Sequence, residues 1–170
     1  MILKHLTKNF YLDLILIFSI FLFDRLSKLY VIYKSEKNGG TEIYTSKFLN
    51  IQLVWNEGIA FGLFSIGDEN RYNIFTILIL LVIIVIFFMA IKNKGLKKIA
   101  LMIIFAGALG NLYDRISYKS VADFIDFHVG NFHWFIFNIA DTFITLGVII
   151  MILLELIDNK DKDETDDEKI

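Results

Sequence analysis

The chain contains no cysteine and no proline. Without cysteine there is no disulfide, no thiol nucleophile and no thiolate metal ligand. Without proline, no helix is kinked by that residue. An excess of positive charge is also missing. The 17 Lys and Arg against 19 Asp and Glu leave a formal charge of -2, so a nucleic-acid partner is not expected. What the chain has in abundance is apolar side chains, 56% of its 170 residues and 17 of them Phe, gathered into long runs. Runs of about 18 or more nearly uncharged residues signal membrane helices.

Four such segments stand out, at about 10–33, 73–91, 97–114 and 134–157. The first follows Lys4 and Lys8 and superficially resembles a secretory signal. No small-residue cleavage site comes after it, only "FDRLSKLYVIY", so a retained span is expected. Residues 1–157 then form one membrane domain, and the acidic stretch "DNKDKDETDDEKI" at 158–170 reads as a disordered tail.

Lys and Arg density sets the orientation. The N-terminus, the link between spans two and three and the tail together carry nine Lys, including Lys92, Lys94, Lys97 and Lys98. The two longer connections at 34–72 and 115–133 carry six Lys or Arg. Both termini are therefore expected in the cytoplasm and the longer loops outside. Within those loops, "NIQLVW" (50–55) alternates at a strand's period before the turn signal "NEG". "VADFIDFHVGNFHWFIF" (121–137) reads as two strands around Gly130-Asn131. The expected fold is thus a membrane all-α protein of four transmembrane helices with a small extracytoplasmic sheet. No span face is visibly reserved for a partner, so a monomer in contact with membrane lipid is expected.

With this orientation the polar residues of the spans converge on the outer side. Asp24 and Lys28 share a face of span one. Asn111 and Arg115 share the outer end of span three beside Asp114, and Gly107 and Gly110 leave room there for a close helix neighbour. Asp141, seven residues beyond Trp134, lies roughly 10 Å into span four at 1.5 Å per residue. An ionisable group in a span is expensive and points to function. Asn56, Asp123 and Asn138 stand close by in sequence. Two carboxylates brought together share a proton, one taking a proton from water and the other donating to a carbonyl. Asp123 and Asp141 are the natural pair.

Structural roles compete with these readings. Asp24 and Lys28 suit an ion pair between helices, Asn111 and Asn138 suit interhelical hydrogen bonding, Arg115 suits an interfacial anchor, and Asp114 suits helix-end solvation. Asp126 reads as an exposed loop carboxylate. Trp55 and Trp134 read as interface aromatics. His128 and His133 lack further ligands at workable spacing, so neither a metal nor a cofactor is expected.

Five blocks in order, "FDRLSK" (23–28), "NEGIAFG" (56–62), "AGALGNLYDRI" (106–116), "VADFIDF" (121–127) and "FNIAD" (137–141), resemble the lipoprotein signal peptidases, or signal peptidase II. The resemblance implies a bacterial inner-membrane aspartic endopeptidase. It would remove the signal peptide from diacylglyceryl-modified prolipoproteins, cutting just before the lipidated Cys, with the site facing the periplasmic side. It implies Asp123 and Asp141 as the catalytic dyad, with Asn56, Asn111, Arg115 and Asn138 lining the site and Asp24 and Lys28 as the motif of the first helix. A β-cradle on the membrane is also implied. Arg25 stands where Gln is frequent, Ser27 where Thr is frequent, and "HWFIFNIAD" lacks a common Pro; none of these touches the implied dyad. The competing readings are a non-enzymatic membrane protein using Asp141 in helix packing, and a lipid-modifying transferase for which Lys28 with Arg115 is thin support.

Overall fold

A computed structural model describes residues 2–58 and 69–167. Its elements run α1 (Ile2–Asn38), β1 (Glu42–Thr45), β2 (Leu49–Asn56), α2 (Glu69–Lys92), α3 (Gly95–Tyr118), β3 (Val121–Val129), β4 (Phe132–Phe137) and α4 (Ile139–Asp167). Residues 59–62 of the "NEGIAFG" block lie outside the described residues.

The local chemistry explains each boundary. Gly95, at φ +60°, opens α3 after a two-residue link, so α2 and α3 pack as neighbours. Lys119 closes α3 in the left-handed conformation, with its N–H bonded to the Arg115 carbonyl 3.1 Å away. That turn launches β3. Gly130, at φ +59°, and Asn131 then reverse the chain into β4. The four strands form one antiparallel sheet in the order β1-β2-β3-β4. Val31 of α1 packs with Leu53, Ala122 and Phe124, fixing the sheet to that helix.

Three helical stretches, Tyr72–Lys92, Gly95–Tyr118 and Ile139–Asp158, are long and apolar enough to cross a membrane. At 37 residues α1 is longer still, about 55 Å at the α-helical rise. Its apolar stretch is bounded by Asp13 and by the group Asp24, Arg25 and Lys28. The burial pattern is that of a membrane protein. Phe10, Phe18 and Leu26 of α1 face outward, whereas the largest fully buried side chains are Lys28, Asn138, Asp24, Asp114 and Asp126. In water such an arrangement would expose oil and bury charge; in a bilayer the apolar exterior meets lipid.

Close helix contact rests on glycine. A Cβ on Gly107 would stand 2.6 Å from the Ala140 carbonyl oxygen of α4, and one on Gly110 would stand 2.5 Å from Asp24 Oδ2 of α1. The expected room for neighbouring helices is therefore present, and both α1 and α4 use it, meeting one another where the Ala140 N–H donates to Asp24.

Several expectations need correction. Residues 134–137 belong to β4 and not to the fourth span, because Ile136 and Phe137 pair with Asp126 and Ile125. Helix α4 starts only at Ile139. Asp141 therefore lies in the first helical turn and not seven residues down a span. Strand β1 was not foreseen; it is short, and its four residues include only one that is half-buried. The acidic segment from Asp158 was expected to be disordered, yet α4 continues to Asp167 through a stretch with neither Gly nor Pro to stop it.

Candidate active site

The start of α4 brings one carboxylate into place. Asn138 precedes the helix, and its Oδ1 accepts from the Asp141 N–H at 3.0 Å. In return Asp141 Oδ2 accepts from the Asn138 N–H at 3.2 Å. This reciprocal capping box satisfies two backbone donors that a helix start leaves open. It also gives Asp141 a helix-capping role, distinct from the helix packing weighed from the sequence.

The second carboxylate comes from the sheet. Asp123 sits on β3 opposite Val54 of β2 and is 4% exposed. Asn56, at the end of β2, donates Nδ2 to its Oδ2 at 2.9 Å. Asn138 donates Nδ2 to its Oδ1 at 2.6 Å. One asparagine thus caps α4 through its carbonyl oxygen and holds Asp123 through its amide. Asp123 and Asp141 line the same cavity of about 240 Å³, together with Asn56, Asn111 and Arg115. Burial pushes the Asp123 carboxyl up to about 7, and the nearby charge of Asp141 adds to the rise. The amides of Asn56 and Asn138 oppose that shift in part.

Behind the cavity lies a buried ionic network. Lys28 Nζ contacts Asp24 Oδ2 at 3.0 Å and Asp114 Oδ2 at 2.7 Å. It also donates to Asn111 Oδ1 at 2.8 Å, and Asn111 Nδ2 donates to Asp141 Oδ1 at 2.8 Å. Arg25 completes the charge balance with Asp114 Oδ1 at 2.6 Å and Asp24 Oδ2 at 3.2 Å, its guanidinium 4.7 Å from the Tyr113 ring centroid. The network also braces backbone. Asp24 Oδ1 accepts from the Ala140 N–H at 3.0 Å, another open donor in the first turn of α4. Arg115 Nη2 donates to the Gly58 carbonyl at 3.0 Å, which pins the end of the loop leaving β2.

The structure brings the candidate site residues together in space. Asn56, Asn111, Arg115, Asp123 and Asp141 line the cavity; Asn138 joins two of its walls. Asp24, Lys28 and Asp114 stand behind them, and Gly107 admits the α4 turn that carries Asp141. Two expectations change. Asp24 and Lys28 are an ion pair, but one wired to Asp141 through Asn111. Asp126 is fully buried, not an exposed loop carboxylate. It accepts from Asn50 Nδ2 at 3.1 Å, Gln52 Nε2 at 3.2 Å and the His133 ring at 2.9 Å. Arg25 was visible only as a departure from a pattern. The sequence signal for Asp126 was the alternation of Asn50 and Gln52 on β2, which puts both amides on one face beside it.

Comparison with known proteins shows the family. The family model for signal peptidase (SPase) II matches residues 16–157. A lipoprotein signal peptidase of Pelagibacter ubique (strain HTCC1062) is 52% identical over 155 residues, covering 91% of this chain and 93% of its own. One of Anaplasma phagocytophilum (strain HZ) is 40% identical over 134 residues, covering 78% and 84%. Two solved bacterial membrane enzymes, determined by the in meso method, superpose with TM-scores of 0.69 and 0.70 at 36% and 33% identity. They cover 88% and 85% of this chain, and 90% and 92% of their own. The chain therefore belongs to the signal peptidase II family, the lipoprotein signal peptidases, and is a multi-pass membrane peptidase.

Proposed function

We propose that the chain is an aspartic endopeptidase in which Asp123 and Asp141 share a proton and activate water against a diacylglyceryl-modified prolipoprotein. Membership of the family supports removal of signal peptides from prolipoproteins. The observation that carries the aspartic chemistry is the common cavity of the two carboxylates, with Asp123 raised to about 7. At neutral pH such a pair holds one proton between two oxygens that each want it.

The ionised carboxylate takes a proton from water as the water oxygen attacks the scissile carbonyl carbon. The protonated carboxyl gives its proton to the carbonyl oxygen, forming a neutral gem-diol. Collapse returns a diol proton to one carboxylate, while the other carboxyl delivers its proton to the departing nitrogen. The carbon–nitrogen bond breaks and the dyad again holds one proton. No covalent intermediate is needed. Asn56, Asn111 and Asn138 keep the carboxylates in place by donating to them, and Arg115 sets the loop end at Gly58.

In this reading cleavage falls just before the lipidated Cys, and a monomer of residues 1–157 carries the site. Four helices span the bacterial inner membrane with both termini in the cytoplasm. The site opens on the extracytoplasmic side, in keeping with nine Lys in the opposite connections and tail against six Lys or Arg on this side. The test is a gel-shift cleavage assay in lipid, with a diacylglyceryl-modified prolipoprotein and EDTA present throughout. The native protein should cleave, whereas Asp123→Asn and Asp141→Asn should remain folded and lose at least about 10²-fold in rate. Near-native activity in either variant rejects the dyad.

A further inference from the structure

Asp24 and Asp114 hold backbone as well as charge. Asp24 Oδ1 accepts from the Ala140 N–H at 3.0 Å, and Asp114 Oδ2 accepts from the Ala122 N–H at 3.4 Å. Ala140 directly precedes Asp141, and Ala122 directly precedes Asp123. Each buried carboxylate of the network thus holds the chain one residue before one member of the candidate pair. The two amides need such acceptors. Ala140 lies in the first turn of α4, where N–H groups have no helical partner, and Ala122 comes before Ile125, where the pairing of β3 with β4 begins. Both alanines are fully buried, so bulk water does not reach them.

We propose that Arg25 is a positioning residue that sets the spacing of Asp123 and Asp141 by bridging these two carboxylates. The inference rests on the proposed reading of Asp123 and Asp141 as the cleaving pair. Arg25 Nη1 contacts Asp114 Oδ1 at 2.6 Å, while Nη2 donates to Asp24 Oδ2 at 3.2 Å. A guanidinium is planar and keeps its nitrogens in a fixed fork, so the two carboxylates are held at a set separation. The Tyr113 ring, 4.7 Å from the guanidinium, steadies the plane of the fork. Among the described residues the polar and ring contacts of Arg25 are Asp24, Asp114 and Tyr113, and neither carboxylate of the pair. Its influence on turnover therefore passes through the two amides or through its charge.

Lys28 does not supply this spacing alone. Its ammonium meets Asp24 Oδ2 at 3.0 Å and Asp114 Oδ2 at 2.7 Å, but it is a point charge about which either carboxylate can turn. It is also shared with Asn111 Oδ1. Arg25 takes the other oxygen of Asp114, so that carboxylate is gripped at both oxygens and its plane is fixed. The fixed plane keeps Oδ2 aimed at Ala122. At 3.4 Å this is the longer of the two amide links, and it is the one that slackens first when the fork is lost.

The test compares native protein with Arg25→Lys, which keeps the charge and loses the fork, and Arg25→Gln, which loses the charge. Turnover of a diacylglyceryl-modified prolipoprotein in bilayers gives kcat and KM, and thermal unfolding confirms folding. Hydrogen exchange of isotope-labelled alanine amides reads the two links directly, with Ala100 and Ala106, buried in α3, as references. Both variants should lose about tenfold in kcat, with KM within about twofold of native. Exchange at Ala122 should quicken by about fivefold or more and at Ala140 by less, while Ala100 and Ala106 keep native rates. A kcat for Arg25→Lys within about threefold of native would leave only the charge and overturns the proposal. So does unchanged exchange at Ala122 and Ala140, or equal quickening at all four alanines, which would mean general loosening of the fold. Failure of the dyad reading appears separately, as activity retained in Asp123→Asn or Asp141→Asn, and the exchange readout does not depend on it.

Discussion

The side-chain amide of Asn111 donates to Asp141 across 2.8 Å, and it is held in that orientation. Its Oδ1 faces Lys28 Nζ at 2.8 Å, and an ammonium offers only donors, so the NH₂ end must point at the carboxylate. Asn111→Asp keeps an acceptor for Lys28 but sets a second carboxylate against Asp141. We expect this variant to fold, with an unfolding temperature near native, and to lose at least about 10²-fold in turnover. Substrate turnover and thermal unfolding in the same detergent separate the two effects. Turnover near native would show that the donor to Asp141 is dispensable.

The charges behind Asn111 should matter for stability in a fixed order. Lys28, Asp24 and Asp114 are all fully buried, and Arg25 nearly so. Lys28→Met strips a partner from both carboxylates at once, which by analogy with other buried pairs costs about 3–5 kcal/mol. Arg25→Gln should cost less, because a glutamine amide can still donate to Asp24 or Asp114. Chemical unfolding of both variants in one lipid mixture checks the order; a reversal would mean that Arg25 holds the network together.

Asp123 supplies a pH dependence with a definite sign. Its carboxyl is raised from 3.8 to about 7, mainly by burial. Between those values the folded protein keeps a proton that the unfolded chain has released. Its contribution to stability is therefore greatest below about pH 4 and is lost as pH rises toward 7. Asp123→Asn should flatten that slope. Activity should decline on the alkaline side around neutrality if the proposed dyad loses its shared proton there. A pH–rate profile with no alkaline fall below pH 9 would contradict this.

Helical spacing in the sequence already groups residues that the structure places around one cavity. Asp24 and Lys28, or Asn111 and Arg115, lie four apart, and helical spacing alone puts such pairs on one face. The sidedness expected of the loops then grouped them at one end of the helices. What spacing does not reveal is where a hydrophobic run changes its hydrogen-bonding partner. Trp134 to Phe137 is apolar enough for a span, yet β3 takes it as a strand, and only the Asn138–Asp141 capping box marks the helix start. Asp126 was misread for a related reason. Its burial depends on Asn50 and Gln52 of another strand, and strand pairing is a long-range fact.

Asn138 joins two functions that substitution can separate. Asn138→Asp retains an oxygen able to cap α4 but exchanges the amide that holds Asp123 Oδ1 for a carboxyl group. Asn138→Ala removes both, at about 1 kcal/mol for the cap alone. Both variants should lose activity, and the alanine variant should in addition unfold at a lower temperature. Turnover by Asn138→Asp within threefold of native would show that the amide bond to Asp123 is not needed.

The close contact of α3 and α4 offers a comparison of stability with positioning. A Cβ on Gly107 would meet the Ala140 carbonyl at 2.6 Å, one residue before Asp141. A Cβ on Gly147 would meet the Ala100 carbonyl at 2.8 Å and Ile104 Cγ1 at 2.5 Å, on the same interface but about 9 Å beyond Asp141 along α4. Either Ala substitution should push the helices apart locally and cost about 1–3 kcal/mol. Only Gly107→Ala displaces the turn that carries Asp141. A shift near 1 Å at a reacting group costs on the order of 10²-fold in rate. Gly107→Ala should therefore lose far more kcat than Gly147→Ala at similar loss of unfolding temperature. Equal kcat losses would mean that the contact acts through general stability and that the turn is not positioned by Gly107.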